Sequence, residues 1–135
     1  MFLSGPFYVQ FGHGSKEGEA LNTTWRVITT KSDAEPWWFF EGWEKDIMRD
    51  WTFDSREEAV ETFLTELKRF SERYPKAKTK KFHSIAFWDP EEVYFCEACD
   101  DDLQVYYGLV IFENDQPMEI KDGLIITEIT DRMEQ

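Results

Sequence analysis

Cys96 and Cys99 are the two cysteines of the chain, and they stand in Phe95-Cys96-Glu97-Ala98-Cys99-Asp100-Asp101-Asp102. Thiolates at this spacing can grip one edge of a zinc ion, although a closed structural site needs four ligands. Of the two histidines, His13 lies in an N-terminal stretch of different character. The metal candidates are therefore Cys96, Cys99 and His83, with oxygen from Asp100, Asp101 or Asp102 to complete the set. Two Cys-x-x-Cys pairs could also share one zinc across a dimer. A redox pair would want its first cysteine at a helix N-terminus. Here the pair follows an apparent strand and precedes three aspartates, whose charge raises thiol pKa values. Ordinary reduced cysteines are the plainer reading. No cofactor is expected, zinc being the one this spacing admits. The three aspartates could hold Mg²⁺ or Ca²⁺ through oxygen, but the EF-hand spacing is missing and a solvated acidic turn is the simpler assignment.

The second candidate is Glu35-Pro36-Trp37-Trp38-Phe39-Phe40-Glu41-Gly42-Trp43. Read as a strand, it sends Trp37 and Phe39 to one side and Trp38 and Phe40 to the other, with one pair entering the core. Rings left outside, beside Glu35, Glu41 and Glu44, would suit a basic peptide through cation–π contact and charge pairing. The candidate partner-binding residues are thus Trp37, Trp38, Trp43, Asp100, Asp101 and Asp102. No catalytic residue is assigned: GxSxG, HExxH and Walker patterns are all missing, and the reading leans away from an enzyme.

Charge narrows the partners. The 135 residues carry 15 Lys and Arg against 28 Asp and Glu, a net charge of −13. Nucleic-acid binding needs cations that displace phosphate counterions, so direct contact with nucleic acid is not expected. Anionic membranes are disfavoured in the same way, and a basic protein surface is favoured. One basic island, Lys68 to Lys81, stands against this field and reads as a helix end followed by a solvated loop. No run approaches the roughly 18 apolar residues of a membrane span. The first residues lack a charged segment followed by a long apolar one, so they do not read as a signal peptide, and a cytoplasmic protein is expected.

These residues need elements to position them. Residues 1–23 read as a poorly structured extension. Lys16-Glu17-Gly18-Glu19 can be encoded by a purine-rich ribosome-binding sequence, so the extension is expected to be translated leader, with the native start near Leu21. Residues 24–135 read as one domain. Trp25 to Thr30 is rich in β-branched and aromatic residues and reads as a strand. Asp46 to Phe53 is irregular or a short strand. Ser55-Arg56-Glu57-Glu58 fits a capping box, and Ala59, Val60, Phe63, Leu64, Leu67, Phe70 and Tyr74 recur at helical spacing before Pro75 stops the run. Strands are expected over 82–88, 93–96 and 103–112, with Gly108 at a bulge. A hairpin is expected around Asp122-Gly123, pairing Met118–Ile120 with Leu124–Ile129. The result is an α+β fold, a mainly antiparallel sheet of about five strands with one amphipathic helix, about 55–74, packed on one face.

The aromatic run, Phe53-Asp54-Ser55 and Phe95-Cys96-Glu97-Ala98-Cys99-Asp100-Asp101-Asp102-Leu103-Gln104 together resemble a family of small uncharacterised bacterial proteins, a domain of unknown function, over about residues 24–115. The resemblance implies no activity. It does imply a gene neighbourhood shared with transcription and DNA-uptake genes, which is an association only. The expected function is a non-catalytic acidic module that docks on a basic protein surface, such as one in transcription or DNA-handling machinery. The alternative is a small zinc domain, or a metal-dependent enzyme, built on Cys96, Cys99 and nearby carboxylates.

Overall fold

In the computed structural model, which describes residues 23–133, β1 (Trp25–Ser32) sends alternate side chains to opposite faces of a sheet. Val27 faces a helical layer, and Ile28 faces a layer built by a loop. That alternation is the period of an extended chain, and it recurs in β7 (Tyr106–Glu113): Leu109 and Ile111 on one side, Val110 and Phe112 on the other. The main sheet runs β2-β1-β7-β4-β3, with β2 at Ile47–Phe53, β3 at Lys76–Lys80 and β4 at Ser84–Trp88. Every pairing is antiparallel, and the short β8 (Gln116–Pro117) adds to β7. The fold is α+β.

α1 (Arg56–Arg73) starts where the capping residues predict: Ser55 Oγ accepts from the Glu58 amide at 3.3 Å. It buries Ala59, Val60, Phe63, Leu67 and Phe70 against Val27, Ile85, Phe87, Leu109 and Ile111. Glu66 is buried on the same helix but not alone. Arg69 holds it at 2.5 Å, and Arg49 of β2 lies 3.7 Å away.

Several expectations change. Leu124–Ile129 is not a hairpin strand but part of α2 (Gly123–Met133), which packs beside α1. Asp122 caps that helix, its Oδ1 accepting from the Leu124 amide at 2.9 Å. The same Asp-Gly pair that suits a hairpin turn here supplies a cap and a first helical residue. The span expected as one strand over 103–112 is broken at Val105. Its first part joins β6 (Asp101–Gln104), which pairs only with β5 (Val93–Cys96) in a separate two-stranded sheet. Gly108 sits in unbroken register, opposite Thr30 on one side and Ala86 on the other, so there is no bulge. The segment after Pro75 is an edge strand, not a loop. Lys76, Lys78 and Lys80 are exposed along it, and lysines on an edge discourage pairing with another chain. Residues 47–53, left open between coil and strand, form the opposite edge. The expected extension over 1–23 and the Leu21 start fall, apart from Thr23, outside the described residues. No helix among the described residues is long and apolar enough to cross a membrane.

Candidate functional site

Residues 33–46 link β1 to β2 by folding back over the face of the sheet that α1 does not cover. They are not a strand. Pro36 packs on Gly108, where a side chain would collide with it. Phe39 adopts a left-handed backbone (φ 47°) and Gly42 another (φ 81°), and between them the chain turns sharply enough to insert rings. Phe39 and Trp43 meet edge-on at 5.0 Å and close over Ile28, Val110 and Phe112. A single turn of 3₁₀ helix (Trp43–Asp46) then delivers the chain to β2. The expected strand alternation, with Trp37 and Phe39 or Trp38 and Phe40 entering the core as a pair, does not hold: turns place the rings, and the inward pair is Phe39 and Trp43.

The rings left outside are Trp38 and Phe40, 52% and 61% exposed. They lie nearly parallel (7°) with centroids 6.0 Å apart. Trp38 Nε1 donates to Glu35 at 3.0 Å, which fixes the indole. Lys80 Nζ already lies 5.4 Å from its ring centre, a cation–π contact made within the molecule.

Opposite this loop stands the β5–β6 hairpin. Tyr94 OH donates to Asp33 Oδ2 at 2.9 Å and ties hairpin to loop; that hydrogen bond raises the phenol's pKa. The hairpin base is pinned to the body of the protein. Gln104 Nε2 donates to the carbonyls of Asp89 (2.8 Å) and Glu92 (2.9 Å), and Tyr107 OH donates to Glu92 at 2.6 Å. Burial, then Glu92, drives the Tyr107 pKa upward, so this phenol remains a donor.

Between loop and hairpin lies a groove of about 550 Å³. Its rings are Trp38, Phe39, Phe40, Trp43 and Tyr94; its carboxylates are Asp33, Glu35, Glu41 and Asp46, against the amines of Lys31 and Lys45. Of the residues picked from sequence, Trp38 and Trp43 line it and Trp37 does not. Asp100, in the hairpin turn, and Asp101 and Asp102, which open β6, are exposed and outside the groove's lining. Asp33 and Tyr94 were missed. The alternation of β5 could have marked Tyr94 as a wall residue, but nothing local in sequence joins it to Asp33, 61 positions away.

The metal candidates are not brought together. His83 lies in the turn before β4, and Cys96 lies beyond the far end of that strand. No group of three His, Cys, Asp or Glu side chains suited to a metal occurs among the described residues. The cysteines are not reduced, as expected from sequence, but joined in a disulfide, with Cα atoms 5.5 Å apart. The cause is local: Asp100 turns back through a left-handed conformation (φ 54°), and the tight turn faces the two sulfurs. His83 instead serves the fold. It is buried, and its Nδ1 shares a 2.6 Å hydrogen bond with Ser84 Oγ. Burial lowers its pKa, Lys81 and Lys80 push the same way, and Glu119 opposes them.

That shift has a sign. The unfolded chain takes up the His83 proton near the ordinary value of about 6.5, while the folded chain resists it. The unfolded state then binds more protons, so the stability from neutral His83 is complete above that range and is lost as pH falls. Urea midpoints at pH 7.5 and 5.5 for wild type and His83→Gln check this. Wild type is expected to lose more on acidification than the variant; equal losses would contradict the assignment.

A family model described as "Protein of unknown function (DUF1033)" matches residues 24–135. Nothing among the curated proteins or the solved structures matches the chain.

Proposed function

The chain belongs to that family of unknown function, and from its groove we propose that it is a non-catalytic interaction module taking a lysine- and arginine-rich segment of another protein. The observation that carries this is the pairing of an exposed, stacked Trp38 and Phe40 with a lining of four carboxylates and two amines. Rings alone would suit any apolar partner. Rings edged by carboxylate select a cation, because the π face and the acids attract the same charge. Lys80 on Trp38 is an internal example of the contact a partner's lysine or arginine would make. The aspartates of the hairpin tip extend the negative field beyond the groove and steer a basic partner toward it. Basic surfaces that neutralise phosphate in nucleic-acid machinery have the matching chemistry.

The test is a titration of tryptophan fluorescence with an arginine-rich peptide. Wild type is expected to bind, with affinity falling as salt rises. Trp38→Ala is expected to weaken binding about tenfold, the scale of a well-placed cation–π contact. Exchanging Asp100, Asp101 and Asp102 for asparagine should weaken association and flatten its salt dependence. Wild type that ignores the peptide at low salt, or binds it equally without Trp38, would discard the proposal.

A further inference from the structure

The Cys96–Cys99 disulfide closes the tip of the hairpin whose Tyr94 walls the groove. Cys96 and Tyr94 are two positions apart in β5, so both project from the same side of the hairpin. A two-stranded sheet is marginal in water by itself. This one is held at its base by Gln104 and Glu92, at its middle by Tyr94 on Asp33, and at its tip by the cross-link. The ring so closed spans four residues, and the entropy that a cross-link withdraws from the unfolded chain grows with loop length. The bond therefore adds little to the main sheet and acts on the tip it closes.

The tip is also built for exchange. Cys99 is exposed, so its sulfur is open to attack. The Cys99 amide donates to Cys96 Sγ at 3.2 Å, a contact that stabilises negative charge on the leaving sulfur. Glu97, Asp100, Asp101 and Asp102 are exposed around the pair and repel an anionic thiol.

We propose that Cys96–Cys99 is a thiol–disulfide exchange site, reduced by dithiols of neutral or positive charge, and that its redox state tunes the groove. The tuning of affinity rests on the function proposed above; the exchange site does not. One thiolate of the dithiol attacks Cys99 Sγ, forming a mixed disulfide and releasing the Cys96 thiolate. The second thiol of the reductant then attacks its own bonded sulfur and releases Cys99. Two electrons and two protons pass to the protein, and the dithiol leaves as a disulfide.

Three measurements on the full chain test this. Alkylation without reductant should modify neither cysteine; labelling of both would overturn the site. Neutral dithiothreitol should open the bond faster than anionic dihydrolipoate, with the gap closing at high salt; equal rates would remove the electrostatic selection. Hydrogen exchange of the free protein should quicken about tenfold or more over residues 93–104 on adding dithiothreitol, with β1 unchanged; identical exchange would end the switch. The arginine-rich peptide should then bind the oxidised form several-fold more tightly, and the C96S/C99S variant should match the reduced form. A peptide that binds neither form while exchange still shifts would remove the groove's proposed function and leave the exchange site standing.

Discussion

Gly108→Ala is expected to destabilise the protein by about 2 kcal/mol and to abolish the groove, although it adds a single methyl group. In most strands this exchange would help, since glycine is the costlier residue to order. Here the new Cβ would run into Thr30 Oγ1 and would sit 2.6 Å from Pro36 Cβ and 2.9 Å from Pro36 Cγ. Neither neighbour yields easily. Thr30 is buried in β1, and the proline ring is rigid. The loop over residues 33–46 must therefore lift from the sheet, taking with it the Phe39 and Trp43 rings that cover Ile28, Val110 and Phe112. For a domain of this size the loss is about 5–10 °C in Tm. The same variant should lose response to the arginine-rich peptide while the α1 face stays packed. Pro36→Gly placed in the same chain should recover part of both, which a double-mutant cycle reads directly. A Gly108→Ala protein as stable as wild type would mean that the loop does not rest on β7.

This position also shows where sequence reasoning runs out. A glycine inside an apolar strand signals either a bulge or a close approach of another segment, and nothing around Gly108 separates the two. The answer lies in Pro36, 72 residues earlier. The same limit governs the site. Helix α1 is legible because its cap, its period and its stop are all local. β1 and β4 are legible from alternation and β-branched content, whereas the strands that flank α1 are not: residues 47–53 stay open between coil and strand, and the lysine-rich β3 reads as a loop. The groove is not, because it forms between a loop after β1 and a hairpin before β7, and the tie between them is one hydrogen bond from Tyr94 to Asp33. The aromatic run announced a surface of interest through composition, yet which rings turned outward depended on left-handed residues at Phe39 and Gly42. For Gly42 that conformation is readable from residue type; for Phe39 it is imposed by packing on Trp43 and Phe112. The cysteines illustrate a different failure. The low cysteine count and the three aspartates after the pair argue for reduced thiols, but those are arguments about surroundings, while pairing is set by a turn that brings two sulfurs face to face.

The C-terminal segment yields the second large effect, and it discriminates two structures as well as two energies. As a hairpin strand, Leu124 and Ile126 would share one face, so truncating either would carry a similar penalty. As α2, the segment turns Ile125, Ile126, Ile129 and Met133 toward α1 and the core, at helical spacing, and leaves Leu124 outside. Ile129 is fully buried and Leu124 is 84% exposed. Ile129→Ala is therefore expected to lose about 3 kcal/mol, the lost transfer energy plus a cavity that neighbouring helices cannot close. Leu124→Ala should fall within about 0.5 kcal/mol of wild type, as surface changes do. Asp122→Ala removes the acceptor for the Leu124 amide and should lose about 1 kcal/mol, the ordinary value of a cap. Urea unfolding of the three variants, with Ile126→Ala beside them, measures all of these at once. A loss at Leu124→Ala as large as that at Ile126→Ala, with none at Asp122→Ala, would return the segment to the strand that its Asp-Gly pair suggests. The expected order, Ile129 far above Asp122 and Asp122 above Leu124, follows only if a capped helix seals the far side of α1. That seal bears on the groove as well. α1 buries the inner face of β1 and β7, whose outer face carries the aromatic loop, and α2 packs on α1 and β3, so β7 is fixed from behind while Pro36, Phe39 and Trp43 are set against its front.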